Sequence, residues 1–270
     1  MFGSKGYVEI QISSDIGNCR QIQQDNFFCM KKILRHDEIE HYDAVFCNKI
    51  PAIYAVCDGM GGESEGEVAS YAAVSSIARV SVRKLRKMSD ENLVLFLRET
   101  LQKINNYVYK CRNTKDTVCG TTIALYYVDR KKICIANVGD SAVFTVRQGM
   151  ISMISELDNQ AHRLYRMGIL TEEQRWKDKR KRCLTQFLGM DEKKMILSPH
   201  ISVFPHREDE SIGILCTDGV LDCLRQEDLM RILVSAKKNE NCARRMIEEA
   251  KENGSKDNLT VLIIKFKRRR

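Results

Sequence analysis

The sequence predicts an α+β domain in which two antiparallel β-sheets stack as a sandwich with helix pairs on the outside. Three observations carry that expectation. Apolar runs of strand length recur along the chain and are joined by links no longer than turns. Pairs of segments with helical signals interrupt them, at residues 66–111 and again at 226–252. Several apolar runs also stop at an aspartate beside glycine, which puts carboxylates at strand ends.

Taken in order, residues 6–12 have strand spacing through Tyr7, Val8, Ile10 and Ile12, and lead into a loop at 15–20. Strands are expected at 27–34 and 44–46, around a polar loop with His36, Asp37, Glu38, Glu40 and His41 that reads as a solvated hairpin. The run Ile53 to Val56 ends in Cys57-Asp58-Gly59-Met60-Gly61-Gly62, where glycines permit close backbone approaches that a Cβ would block. Ser64-Glu65-Gly66-Glu67 has the form of a capping box and opens a helix over 66–86. Ser89 caps a second helix, with Asp90 and Glu91 in its first turn and an apolar stripe through Leu93, Leu97, Leu101, Ile104 and Val108. Strands follow at 121–128, 132–138 and 142–147, and the turns at 129–131 and 147–149 favour antiparallel pairing. Helix signals cover 161–167, and Thr171-Glu172-Glu173-Gln174 is another capping box. The apolar run 212–216 stops at Thr217-Asp218-Gly219. Helices over 226–237 and 240–252, with Gly254 as stop signal, precede a last strand at 259–266.

Residues 1–270 read as one domain, since only 3 prolines and no Gly/Ser-rich tract offer a linker. The longest apolar runs fall far short of a membrane span, the first residues lack a signal-peptide core, and the expectation is a cytoplasmic monomer. The 11 cysteines are odd in number and form no CxxC pair, so they read as core residues in a reducing compartment. The net charge of +8 is concentrated in residues 175–182 and 265–270 with no aromatic-interleaved binding motif, which argues for solvated faces rather than a nucleic-acid site.

An aspartate at a strand end beside glycine is most often a turn. Here Asp58, Asp140 and Asp218 repeat the pattern and Asp257 leads into the last apolar strand, in a chain without a Cys/His cluster, which suggests an all-oxygen site for a hard cation. Clustered aspartates also serve phosphodiesterases, kinases and calcium sites, so the carboxylates alone leave the chemistry open. Motif order narrows it. In sequence come Asp15-Ile16-Gly17-Asn18-Cys19-Arg20 with Gln24-Asp25-Asn26; Asp58-Gly59-Met60-Gly61-Gly62; Cys119-Gly120-Thr121-Thr122; Val138-Gly139-Asp140-Ser141; Leu184-Thr185-Gln186-Phe187-Leu188-Gly189; Thr217-Asp218-Gly219; and Asp257-Asn258-Leu259-Thr260. With this order and spacing the chain resembles the type 2C family of metal-dependent serine/threonine protein phosphatases, in its single-domain bacterial form.

The resemblance implies an α-β-β-α sandwich with a metal centre at one end. It implies two Mn²⁺ or Mg²⁺ ions held by Asp58, the Gly59 carbonyl, Asp218 and Asp257, with a water between them attacking phosphorus, and with Arg20 holding the phosphate. It further implies a third, weaker ion at Asp158 and Asp222, and a supporting shell of Gln24, Asp25, Asp140 and Asn258. Residues 158–189 match the family's flap beside the active site. Substrates would be phosphoserine and phosphothreonine proteins made by a cognate Ser/Thr kinase. Two departures stand out: Gln24 replaces a usual Glu, and Ala142 a usual Arg. They keep open a weakened, phosphoprotein-binding member of the fold, and a small-molecule phosphomonoesterase is the other alternative. His162 could do acid–base work but reads first as structural.

Overall fold

The computed structural model describes residues 7–35, 40–61, 65–113, 117–206 and 210–267. The strands are β1 (Tyr7–Asp15), β2 (Asp25–Phe28), β3 (His41–Lys49), β4 (Ala52–Gly61), β5 (Cys119–Thr121), β6 (Ile123–Val128), β7 (Lys132–Val138), β8 (Ala142–Arg147), β9 (Met150–Met153), β10 (His200–Pro205), β11 (Glu210–Cys216) and β12 (Leu259–Lys267). The helices are α1 (Glu65–Ile77), α2 (Val82–Leu85), α3 (Asp90–Cys111), α4 (Gln160–Arg166), α5 (Glu172–Lys177), α6 (Asp218–Leu221), α7 (Gln226–Val234) and α8 (Cys242–Glu252). One sheet runs β3-β1-β12-β11-β8-β9, and the other runs β10-β7-β6-β4-β2 with β5 paired to the end of β4. Every pairing is antiparallel, and β6–β7 and β8–β9 are hairpins joined by turn-sized links.

The period-two alternation of each central strand feeds two different cores. Tyr54 and Val56 of β4 meet Ile10, Ile12, Leu262 and Ile264 between the sheets. Ile53, Ala55 and Cys57 of the same strand face Ala73, Leu97 and Leu101 of α1 and α3. Val261 and Ile263 of β12 turn the other way, onto Leu229, Ile232, Met246 and Ile247 of α7 and α8. Strands covered on both faces read as unbroken apolar runs, and each fully buried Leu or Ile contributes roughly 1.5–3 kcal/mol. The result is the four-layer sandwich expected from the sequence. Among the described residues no helix is long and apolar enough to cross a membrane.

Several boundaries differ from expectation, each for a local reason. The helix expected over 66–86 stops at Ile77, and α2 begins anew after Ser81, because Val80 and Ser81 are poor helix formers and Ser81 takes extended backbone. Ser64 of its capping box lies outside the described residues. The strand expected to reach residue 34 ends at Phe28, where Met30 (φ 51°) and Lys31 (φ 68°) make a tight turn closed by two Cys29–Lys32 backbone bonds. Neither residue is Gly or Asn, so the turn carried no signal. The predicted hairpin loop is partly outside the described residues, and His41 opens β3 with contacts to Asp15 and Asp43. Strand 121–128 breaks at Thr122 into β5 and β6, while edge strands β9 and β10 were not anticipated. The caps at Ser89 and Thr171 form as expected.

Candidate metal centre

The strand ends of the two sheets meet at one edge of the sandwich. Asp58 sits near the end of β4 with its backbone held three ways. Its N–H donates to Thr122 Oγ1 (3.0 Å), and its carbonyl accepts from Thr122 N–H and Thr121 Oγ1 (2.8 Å each). The break between β5 and β6 therefore fixes the aspartate. Gly59 follows because nothing larger fits: a Cβ there would lie 2.0 Å from the Gly66 carbonyl oxygen in the first turn of α1. Asp140 leaves β7 through Gly139, whose φ of 95° suits glycine, and Thr122 Oγ1 bonds Ser141 Oγ at 2.6 Å to join the two loops. Asp218 opens α6 directly after β11.

Asp58, Asp140 and Asp218 each bring a carboxylate oxygen within 4.8 Å of the other two, with Asp140 buried and its partners half-buried. Asp25, directly across from Asp58 in the β2–β4 pairing, lies underneath. Its Oδ2 accepts from Thr217 and Thr260 hydroxyls at 2.8 Å each, and Oδ1 is buried without a hydrogen-bond partner. Asp218 Oδ1 is likewise buried and unpartnered. Desolvation dominates the titration of this group. It pushes Asp25 up to about 8, against the two hydroxyl bonds, with Asp257 and Asp218 adding repulsion. Burial and the Asp218 charge hold Asp58 and Asp140 well above the ordinary carboxylate range. Asp218 rises to about 6, chiefly through burial. Buried carboxylates crowded this closely, with oxygens left over, match what a divalent cation requires, and oxygen donors select hard ions.

Asp257 and Arg20 complete the edge. Arg20 grips Asp257 with both arms of its fork, Nε to Oδ1 at 2.8 Å and Nη2 to Oδ2 at 2.7 Å. That bond raises the Arg20 pKa, with Asp257, Asp58 and Asp218 adding electrostatic attraction. Asn258 is the staple of this loop. Its Oδ1 accepts from Gln24 N–H (2.9 Å), and its Nδ2 donates to the Ile16 (2.9 Å) and Ile22 (3.1 Å) carbonyls on both sides of Arg20. Gly17 lets the loop come this close, since a Cβ there would lie 2.2 Å from the Asp257 carbonyl oxygen. Gln24 turns its amide onto the start of α1, where a Cβ on Gly66 would come within 2.6 Å of Nε2.

Two aspartates have surroundings that differ from those the sequence suggested. Asp140, expected to order its loop, contributes a carboxylate to the central group. Asp158, expected to hold a third ion, accepts from Gly139 N–H at 2.9 Å and pairs with His200 Nε2 at 2.8 Å. Its expected companion Asp222 is engaged by Lys181 (2.8 Å) and Arg182 (3.3 Å) from the helical turn Lys179–Arg182. The signal for Asp140 was its place at a strand end, shared with Asp58 and Asp218; Asp158 follows no such strand. His162 is structural, buried between Glu156 (3.1 Å) and Arg175 (3.4 Å), and burial lowers its pKa. The hydroxyls of Thr122, Thr217 and Thr260, which fix Asp58 and Asp25, were missed, because one threonine in a strand carries no distinguishing signal.

Residues 14–259 match the family model described as protein phosphatase 2C. The chain is 28% identical over 234 residues to serine/threonine phosphatase stp of Listeria monocytogenes, an alignment covering 86% of this chain and 91% of that protein. In structure it is similar to serine/threonine phosphatase Stp1 from Staphylococcus aureus, with a TM-score of 0.75 at 22% identity over 96% of this chain and 95% of that one. It is also similar to the catalytic domain of the serine threonine protein phosphatase PstP solved in complex with two manganese ions. There the TM-score is 0.74 at 21% identity, covering 96% of this chain and 99% of that one.

Proposed function

The chain belongs to the protein phosphatase 2C family, and on that premise we propose that it hydrolyses phosphoserine and phosphothreonine on proteins with divalent cations at its carboxylate centre. One observation carries the reading: Asp58, Asp140 and Asp218 converge within 4.8 Å while Asp218 and the adjacent Asp25 each keep a buried oxygen without a partner. Asp58, the Gly59 carbonyl, Asp218 and Asp257 would hold two ions, and Mn²⁺ or Mg²⁺ suits the all-oxygen donor set. A third, weaker ion would draw on Asp140 with Asp218 and not on Asp158. Bound there, such ions supply Lewis acidity and make water acidic enough to ionise near neutral pH.

The chain's own groups do the rest. Arg20 exchanges its Asp257 partner for the substrate phosphate, to which its planar fork donates two charge-assisted bonds. Asn258 holds the Arg20 loop at the right distance. Asp25, clamped by Thr217 and Thr260, supports the centre from below. Gln24 offers a hydrogen-bonding oxygen where a carboxylate would add charge, which lowers cation affinity without removing the site. Substrates are phosphoproteins made by a cognate Ser/Thr kinase, and the enzyme acts as a monomer.

The test is phosphate release from a phosphothreonine peptide with Mn²⁺, with chelator, and in Asp58→Asn and Arg20→Ala variants. Release should need the metal, nearly vanish in Asp58→Asn, and show a KM raised roughly ten- to a hundredfold in Arg20→Ala, the equivalent of one charge-assisted contact. Full turnover in chelator would sink the proposal. Nucleotides and phosphopeptides compared side by side separate a protein phosphatase from a small-molecule phosphomonoesterase.

A further inference from the structure

A cavity of about 550 Å³ opens beside the carboxylate group, between α5, α6 and the β8–β9 edge, and Asp140, Asp218 and Asp222 form one of its walls. Its floor is hydrocarbon: Phe144, Ile151, Met153, Leu157, Leu221 and Leu224. Phe144 and Leu224 are buried, whereas Ile151, Met153, Leu157 and Leu221 pack only partly against the outer core. Trp176, the chain's single tryptophan, closes the flap side. Lys181 Nζ lies 5.3 Å from its ring and the Arg225 guanidinium 5.4 Å, so two cations steady the indole.

The charges at the rim are largely engaged with one another. Lys181 is bonded to Asp222, Arg175 lies 3.7 Å from Glu172, and Glu173 pairs with Lys177. Glu227 and Arg225 also line the rim, but the floor offers an occupant apolar surface to bury, and that burial favours a hydrocarbon side chain. The volume corresponds to a space roughly 10 Å across, about three residues of extended chain. Its wall of Asp140, Asp218 and Asp222 is shared with the carboxylate centre, so a residue a few positions from the reacting phosphate is within reach of it.

We infer that this cavity receives a bulky apolar side chain of the substrate protein, within a few residues of the phosphorylated one. The inference rests on the phosphatase reading above and adds the sequence preference of its substrate. The test is a set of phosphothreonine peptides that differ at a single position, with Leu, Phe, Ala or Glu at each of about three sites on either side. At one site Leu and Phe should exceed Ala by tenfold or more in kcat/KM, mainly through KM, and Glu should fall below Ala. Met153→Glu should bring the Leu-to-Ala ratio close to one, and Met153→Leu should keep it. Trp176 fluorescence should shift when a non-hydrolysable analogue of the preferred peptide binds. Equal rates for all peptides, a preference for Glu, or an unchanged ratio in Met153→Glu would overturn the inference and leave the phosphatase reading intact. No phosphate release from any peptide would overturn the phosphatase reading itself.

Discussion

Asn258 offers the sharpest test of how the site is held together. Its side chain makes three hydrogen bonds, one from Gln24 N–H and one each to the Ile16 and Ile22 carbonyls, and it is only 3% exposed. Asn258→Ala removes all three partners at once. At about 1 kcal/mol for each ordinary hydrogen bond, with some relief where water reaches the Ile22 end of the loop, the loss is about 2–3 kcal/mol. For a domain of this size that lowers Tm by roughly 5–10 °C. The same change frees the Arg20 loop, so KM for a phosphopeptide should rise more than kcat falls. Asn258→Asp separates stapling from charge: it keeps the acceptor for Gln24 N–H, loses both donors and adds a carboxylate next to Asp257. It should therefore destabilise about as much as Asn258→Ala in chelator and recover part of the loss when Mn²⁺ is added. Thermal melts with and without metal, beside steady-state kinetics, make the measurement. A melting point and KM within error of the parent protein in Asn258→Ala would refute the stapling argument.

The different surroundings of Asp140 and Asp158 predict opposite phenotypes. Asp140→Asn removes one of the crowded, desolvated carboxylates, so it should weaken metal binding in calorimetric titration while raising the urea midpoint in chelator. Asp158→Ala should leave the metal titration close to normal and lower the urea midpoint, since it deprives Gly139 N–H and His200 of their partner. A matching pair of metal titrations would mean the roles are assigned wrongly. The His200–Asp158 pair also predicts a pH dependence. The hydrogen bond to Asp158 raises the His200 pKa, so its stabilisation is fully present below the unfolded value near 6.5 and is lost as pH rises through the higher folded value. His200 is more than a third exposed, so the effect is small. The difference in urea midpoint between the parent and His200→Gln should shrink from pH 5.5 to pH 9, and a constant difference would exclude the ion pair as its source.

Much of this molecule was legible in one dimension. Strand and helix identity came from periodicity, because a strand with both faces buried and a helix with one apolar stripe write different spacings into the chain. The helix caps at Ser89 and Thr171 were legible because a cap is a local bond between residues three apart. Asp58 and Asp218 were legible as aspartates at or just after the ends of buried strands, and Asp257 as one just before a buried strand, since the ends of a buried strand are where a side chain can leave the core. What required the folded chain was every relation between segments distant in sequence. The turn at Met30 and Lys31 adopts left-handed backbone without glycine or asparagine, held by the Asn26 bonds to Leu34 across it. Gly59 and Gly219 read as turn residues, yet they are small because Gly66 and Asn258 press against them from other segments. The division of labour between Asp140 and Asp158 was undecidable from spacing alone. It depends on which carboxylate the β7–β8 turn aims at β4 and which one His200, arriving on the edge strand β10, withdraws from the centre. Local backbone preference decides where a carboxylate leaves a strand, but its neighbours in space decide whether that carboxylate is paired or left in want of a cation.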